Sequence, residues 1–397
     1  MKSIASSTSV YTWAMPSTVL LTLGRLPVAL EIARAFHAAG FRVVVAEPFA
    51  WPVCRVSRCV DKCYRTTAPV VDANTYYTEL LDIIDAEQIS IVIPVSEEIL
   101  FVSALNEKLP SSVKLVCMDT NSLLTLHDKY LFNRWAKAHD LPVPLTVLAR
   151  EVPDASSLLA AEYVVKPRLS CSGTGVRFGK PREQLSPTER SEQYIVQQRL
   201  TGHSLSTFSI AVDGQVLVTI AYRGLLTSGS VSVCFEEVSL PEELKRFVTQ
   251  AATVLEYNGM ISFDFIQDEH GHWQAIECNP RATSGIHFVN SDHIVQPLLA
   301  VAGAVSSQSV QTPANPGDRR QEFWSCLARV EGDLFKLKWN GQGWRQLFTT
   351  RDITWSWRDA KPFLLLPVVL APHLGQAIKR RQAVAELLML DVGWYQS

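Results

Sequence analysis

Asp264 and Glu277 lie on either side of a turn-forming stretch, Asp268-Glu269-His270-Gly271-His272, within the β-rich runs Met260–Gln267 and Trp273–Asn279. Whether the loop is His270-Gly271 or the four residues 269–272, its centre is the same. Paired positions then sum to 541, and Asp264 faces Glu277. Side chains alternate along a strand, so Glu277 and Asn279 share the face of Asp264 while Cys278 points away. Like charges opposed across a ladder are destabilising unless something offsets them, and Ile261, Phe263, Phe265 and Ile276 predict a largely buried hairpin. A divalent cation would offset them. Two carboxylates and an amide carbonyl, with no His/Cys pattern nearby, suit Mg²⁺, with Mn²⁺ as a substitute. Because Mg²⁺ usually completes its octahedron with phosphates and water, the metal points to a nucleotide. The alternative is that Asp264 meets solvent at a sheet edge, and a one-residue slip would put it there.

A second cluster begins at Lys166-Pro167-Arg168 and continues through a small-residue loop containing Ser172 and Gly173. Glycines let backbone amides approach phosphate oxygens, Lys166 supplies a point charge and Arg168 a forked donor. Read alone, such a segment is more often a plain hairpin. It is no Walker A loop, since G-x-x-x-x-G-K is absent and Lys180 is followed by Pro181. A dinucleotide fingerprint is also missing, with Gly24 alone in the first turn.

In order along the chain stand His127-Asp128-Lys129, then Tyr163-Val164-Val165-Lys166-Pro167-Arg168 before a glycine flap, then Tyr194 to Gly202, then Ser262-Phe263-Asp264 and Ile276-Glu277-Cys278-Asn279-Pro280-Arg281. That order, over roughly residues 18 to 300, resembles the ATP-grasp superfamily, in particular its carbamoyl-phosphate-synthase-like and carboxylate–amine ligase branch. The resemblance implies an ATP- and Mg²⁺-dependent ligase that activates a carboxylate as an acyl phosphate and joins it to an amine. Lys129 and Lys166 would hold the phosphates, Gln197, Gln198, Arg199 and Leu200 would form the adenine hinge, and Asp264, Glu277 and Asn279 would ligate Mg²⁺. Arg281 would steady the acyl phosphate, with Lys166 and Arg168 as further catalytic cations. Two positions depart from the family pattern: Gln198 stands where a hinge Glu is common, and Leu205 near an acidic ribose ligand, leaving His203 or Ser204 for the hydroxyls. Arg223, Ser284, Gly285 and His287 lie beside the expected site, for substrate binding or for structure. Two other readings stay open: carboxylation or carbamoyl-phosphate-type chemistry with bicarbonate, and a non-catalytic nucleotide-binding protein of the same fold. Related enzymes are often dimers, which makes a homodimer an expectation too.

These groups need an α/β (α+β) scaffold, an ATP-grasp fold preceded by a small doubly wound parallel α/β domain. Residues 18 to 47 read as strand, helix from Pro27 to Ala39, and strand, and Ile89 to Pro94 as a strand buried in a parallel sheet. Glu97-Glu98 reads as a helix N-terminus. A helix capped by Ser122 is predicted to run to His139, and 240–256 as another. Strands are predicted at Tyr163–Lys166, Val176–Phe178, Tyr194–Gln198, Leu205–Val212 and Val216–Ala221, with an Asp213-Gly214 turn between the last two. The implied domains are 1–120, an ATP-grasp domain 121–315 split near 197, and a Trp-rich region 316–397. Its tryptophans, Trp324, Trp339, Trp344, Trp355 and Trp357 among them, read as core and interface residues rather than a ligand cage.

Composition excludes more than it selects. Lys and Arg number 37 against 39 Asp and Glu, so nothing marks a nucleic-acid partner. Eight cysteines without a C-x-x-C pair suit a reduced, cytoplasmic compartment. The longest apolar run, Pro362 to Leu374, is broken by Pro367 and Pro372 and falls short of the roughly 20 residues of a membrane span.

Overall fold

The computed structural model describes residues 17–153, 157–170, 173, 175–228, 231–306, 314–328, 341–380 and 388–394. Three sheets carry the architecture. The first is wholly parallel, in the order β3-β2-β1-β4-β5, from strands Thr18–Leu21 (β1), Arg42–Glu47 (β2), Lys62–Arg65 (β3), Ile89–Ile93 (β4) and Lys114–Leu115 (β5). Helices Pro27–Ala38 (α1), Ala73–Ala86 (α2) and Ile99–Ser103 (α3) accompany it. Val19, Leu21, Val43 and Val45 pack into one buried cluster, Leu20, Val44 and Ala46 into another, which is why β1 and β2 read as continuous apolar runs.

The helix predicted from Ser122 to His139 is two helices, Thr120–His127 (α4) and Lys129–Ala138 (α5). Asp119, not Ser122, caps the first, accepting from the Ser122 amide. Asp128 leaves helical geometry at ψ 113° and caps the second through the amides of Tyr130 and Leu131. A side chain able to satisfy orphan amide groups permits the break.

Strands Thr146–Leu148 (β6), Tyr163–Pro167 (β7), Arg177–Gly179 (β8) and Tyr194–Gln198 (β9) form a four-stranded antiparallel sheet, with the short helix Ser157–Ala160 (α6) beside it in sequence. Gly175 precedes β8 at φ +74°, and a Cβ there would lie 2.8 Å from Pro167 Cγ, so the turn out of β7 requires glycine.

The third sheet has seven strands: Ser204–Val212 (β10), Gln215–Ser228 (β11), Val231–Val238 (β12), Gly259–Gln267 (β13), Trp273–Asn279 (β14), Arg319–Gln321 (β15) and Arg351–Asp352 (β16). β12 was not expected, and β15 and β16 carry the sheet into the C-terminal region. Helix Glu242–Leu255 (α7) buries Leu244, Phe247, Val248 and Ala251 against Phe263 and Phe265, while Ser291–Val301 (α8) joins α1 in the cluster that includes Val19 and Leu21. Gly341–Thr349 (α9) and Lys361–Arg380 (α10) follow, and among the described residues no helix is long and apolar enough to cross a membrane.

The C-terminal stretch also reaches the strand ends of the parallel sheet. Arg25, just past β1, donates through Nε to Glu47 Oε1 at 2.9 Å and through Nη1 to Leu388 O at 2.9 Å and Asp391 Oδ1 at 2.5 Å. The side chains of Arg25 and Glu47 are almost wholly dry, and Trp394 packs on Phe101 with ring centres 4.7 Å apart. Arg25→Met would strand a buried carboxylate. It is expected to lower the unfolding free energy by about 3–5 kcal/mol in urea titrations, whereas a loss under about 1 kcal/mol would show that the cluster holds little.

Candidate active site

The β13–β14 hairpin alternates as its sequence suggests: Phe263, Phe265, Ala275 and Cys278 enter the core against α7, leaving Asp264, Glu277 and Asn279 for the other face. Asp264 pairs with Glu277 and Ser262 with Asn279, summing to 541, but Phe265 pairs with Ala275 and Gln267 with Trp273, summing to 540. The loop is the five residues 268–272, shifted half a position from the expected centre, and a β-bulge at Ile276 restores the register before Glu277 is reached. A bulge adds a residue and re-aims the backbone around it. Here the freed Ile276 carbonyl accepts from Lys166 Nζ at 3.2 Å.

Around the two carboxylates the charge is mostly positive. Lys129 Nζ lies 3.8 Å from Glu277 Oε2 and donates to Ser170 O at 2.6 Å, linking the start of α5 to the turn after β7 and to β14. Lys166 is buried, and burial pushes its pKa down to about 8 against the pull of Glu277. Burial, then the charge of Glu277, raises Asp264 to about 6. Glu277 is half-buried, and Lys129, Lys166 and Arg281 outweigh its desolvation and hold its pKa below the ordinary value. The surrounding cations thus favour the charged form of Glu277, while burial and its neighbour work against that of Asp264. Asp264 accepts from Ser206 Oγ at 2.5 Å on neighbouring β10 and from Asn279 Nδ2 at 3.1 Å.

Hard oxygen donors on one face, ringed by cations, fit a divalent ion that also carries phosphates. Among the described residues no group of three or more His, Cys, Asp and Glu is placed to hold a metal by itself.

Arg281 leaves β14 and donates through Nε to Glu97 Oε1 at 2.7 Å and through Nη2 to Asn279 Oδ1 at 3.2 Å. Glu97 is buried just beyond β4, and His127 Nε2 lies 3.5 Å from its other oxygen. Burial would raise Glu97, yet Arg281 and His127 hold it low. Reading Glu97 only as a helix-terminal acid missed this. The available signal was its place at the carboxyl end of a parallel strand, where such sheets gather ligands. Asp128 was likewise missed: it takes the Arg168 guanidinium at 2.6 Å, and Arg168 also donates to Glu192 O. Arg168 is thereby tied to the start of α5.

The expected hinge runs from β9 to β10. Gln197 is buried and donates to Thr146 Oγ1 at 2.9 Å, whereas Gln198 is exposed with its amide bonded to Leu145 O. Arg199 pairs with Glu162 at 2.8 Å, Leu200 is half-buried, and the exposed His203 accepts the Gln267 amide on its carbonyl. Leu205 pairs with Phe265 and packs on the core, so it faces away from Asp264, while Ser204 and Ser206 share its face. Gly173 adopts φ +69°, and Ser172 lies outside the described residues.

Of the four expected substrate residues, Arg223 stands on β11 and the other three share the 3₁₀ turn Ser284–Phe288. Arg223 is paired with Glu236, which also binds Arg319. Ser284 opens the 3₁₀ turn Ser284–Phe288, and Gly285 is buried where a Cβ would come within 2.4 Å of Phe208 Cβ, a packing requirement. His287 is buried with Nδ1 3.1 Å from Glu31 on α1.

If the Ile276 bulge exists to aim its carbonyl at Lys166, deleting Ile276 should leave a continuous ladder with Asp264 still opposite Glu277. The deletion variant is expected to keep its far-ultraviolet circular dichroism and to lose roughly tenfold or more in Mg²⁺-ATP affinity by calorimetry; unchanged affinity would refute that role.

Residues 126–285 match the family model described as ATP-grasp domain. No curated protein matches the chain in sequence. Among solved structures, the chain is similar to the biotin carboxylase domain dimer of Hydrogenobacter thermophilus 2-oxoglutarate carboxylase in complex with MgADP, ADP and bicarbonate. The TM-score is 0.61 at 15% identity, covering 76% of this chain and 73% of that one. It is also similar to N5-carboxyaminoimidazole synthetase from Staphylococcus aureus (TM-score 0.59, 13% identity, 81% and 86% covered) and to L-amino acid ligase from Bacillus licheniformis (0.59, 14%, 78% and 79%). At these identities the likeness is one of fold. The family model and the fold agree that residues 126–285 form an ATP-grasp domain.

Proposed function

We propose that the chain is an ATP- and Mg²⁺-dependent ligase that activates a carboxylate as an acyl phosphate and passes the acyl group to an amine, releasing ADP and phosphate. The observation that carries this reading is the facing pair Asp264 and Glu277, with Lys129 and Lys166 beside it. Asp264 and Glu277, with the Asn279 amide, would hold Mg²⁺. Mg²⁺-ATP would supply the γ-phosphoryl group and the divalent charge that the two acids need.

What remains for the protein is positioning and charge, the main currency of phosphoryl transfer. Lys129 and Lys166 would neutralise phosphate oxygens. Arg281, aimed by Glu97, would steady the acyl phosphate, and Arg168, braced by Asp128, would fix the turn after β7 rather than touch phosphate itself. The substrate carboxylate oxygen forms the new P–O bond as ADP leaves. The amine then attacks the acyl carbon, phosphate departs, and the amine gives up a proton. Gln197, Gln198, Arg199, Leu200 and His203 would line the adenosine end, where Leu205 facing the core leaves sugar recognition to Ser204, His203 and backbone groups.

The test is an ADP-release screen of the purified protein against paired carboxylic acids and amines. ADP should appear only when both are present, and Asp264→Ala should cut turnover about 100-fold or more. Formation of AMP and pyrophosphate would sink the proposal, and ADP release with bicarbonate as the only acid would move it to carboxylation.

A further inference from the structure

A cavity of about 470 Å³ lies between α1, the turn containing His287 and the residues following β16, and its lining includes none of the residues gathered around Asp264 and Glu277. Five arginines line it, Arg34, Arg58, Arg320, Arg351 and Arg358, against three acids, Glu31, Asp352 and Asp359.

Each acid is already engaged. Asp359 takes Arg34 Nε at 3.0 Å, Ser57 Oγ at 2.7 Å and the Arg58 amide at 3.0 Å. Asp352 accepts the amides of Phe323, Thr354 and Trp355 at 2.7–2.8 Å, holding the loop after β16 in shape. Glu31 meets His287. Of the arginines, Arg34 is matched by Asp359 and Arg320 by Asp318 at 2.5 Å. Arg351 and Arg358 are exposed and have no ion-pair partner among the described residues. Beside them stands Trp355, half-buried and braced edge-on by Phe363 at 5.2 Å. The frame is fixed, and three forked cations in it, Arg58, Arg351 and Arg358, are left without an acid among the described residues, Arg58 Nη1 donating instead to Arg358 O at 3.3 Å.

Guanidinium forks match carboxylate and phosphate oxygens, and an indole face suits a flat apolar group. The volume falls in the range of small-molecule sites, roughly 300–1,000 Å³. From this we propose that the cavity binds a small anionic metabolite, its carboxylate or phosphate held by Arg351 and Arg358 and its apolar part resting on Trp355. This site is separate from the nucleotide site and does not depend on the ligase reading.

The experiment is thermal melting of the full chain, free of nucleotide, with phenyl phosphate, benzoate and citrate as probes and NaCl at matched ionic strength as control. At least one probe should raise Tm in a saturable way beyond the control, and the responding probe separates phosphate from carboxylate recognition. Arg351→Gln/Arg358→Gln should melt where the parent does, because neither guanidinium holds an acid, and should bind that probe at least ~10-fold more weakly; Arg358→Gln alone serves if the pair fails to fold. Asp264→Ala should respond as the parent does. No shift beyond NaCl with any probe, a response that survives loss of the arginines, or one that disappears in Asp264→Ala would each overturn the proposal.

Discussion

Two carboxylates facing each other across β13 and β14 govern much of what surrounds them. Such a pair is a liability in a folded protein, and the structure meets it from several directions at once: Lys129 from α5, Lys166 from β7, Arg281 from the end of β14, Ser206 from β10. The four-stranded sheet and the seven-stranded sheet therefore communicate through charge at this point. Neither sheet alone would present a coherent set of groups. The push on Asp264 and the pull on Glu277 are two sides of one electrostatic arrangement.

The parallel sheet joins the same arrangement through Glu97. Its carboxylate turns Arg281 toward Asn279 and draws on His127 at the end of α4, so a residue of the first sheet orients one that follows the hairpin. This gives a physical reason for a doubly wound sheet beside the ATP-grasp domain: the strand end of β4 supplies an acid that the antiparallel sheets do not.

Much of the hairpin was legible because alternation and turn chemistry are local. The face assignment of Asp264, Glu277, Cys278 and Asn279 stands, although the counting that led to it contained two errors that cancelled, a loop centre off by half a residue and an unforeseen bulge at Ile276. A bulge has no reliable mark in a single sequence, since it reflects what the backbone must reach. The break at Asp128 escaped for the opposite reason: α4 and α5 have compatible periodicity, and only the side chain's capping bonds divide them. Partnerships between distant segments, Glu97 with Arg281, Arg168 with Asp128, Arg223 with Glu236, were invisible because charge pairing leaves no periodic trace. Leu205 looked like a missing polar ligand and is a strand residue facing inward.

The Arg25 cluster has a temporal consequence. Its two acids arrive from very different places, Glu47 from the next strand and Asp391 from 366 positions downstream. A chain emerging from the ribosome at about 5–20 residues per second completes β1 and β2 early, yet the cap on their strand ends comes with nearly the last described residues. Until residue 391 is made Arg25 has Glu47 alone, and the hydrophobic floor that later receives Met389 and Val392 stands open. The first sheet is therefore an early product whose strand ends are capped only after residues 388–394 have been made.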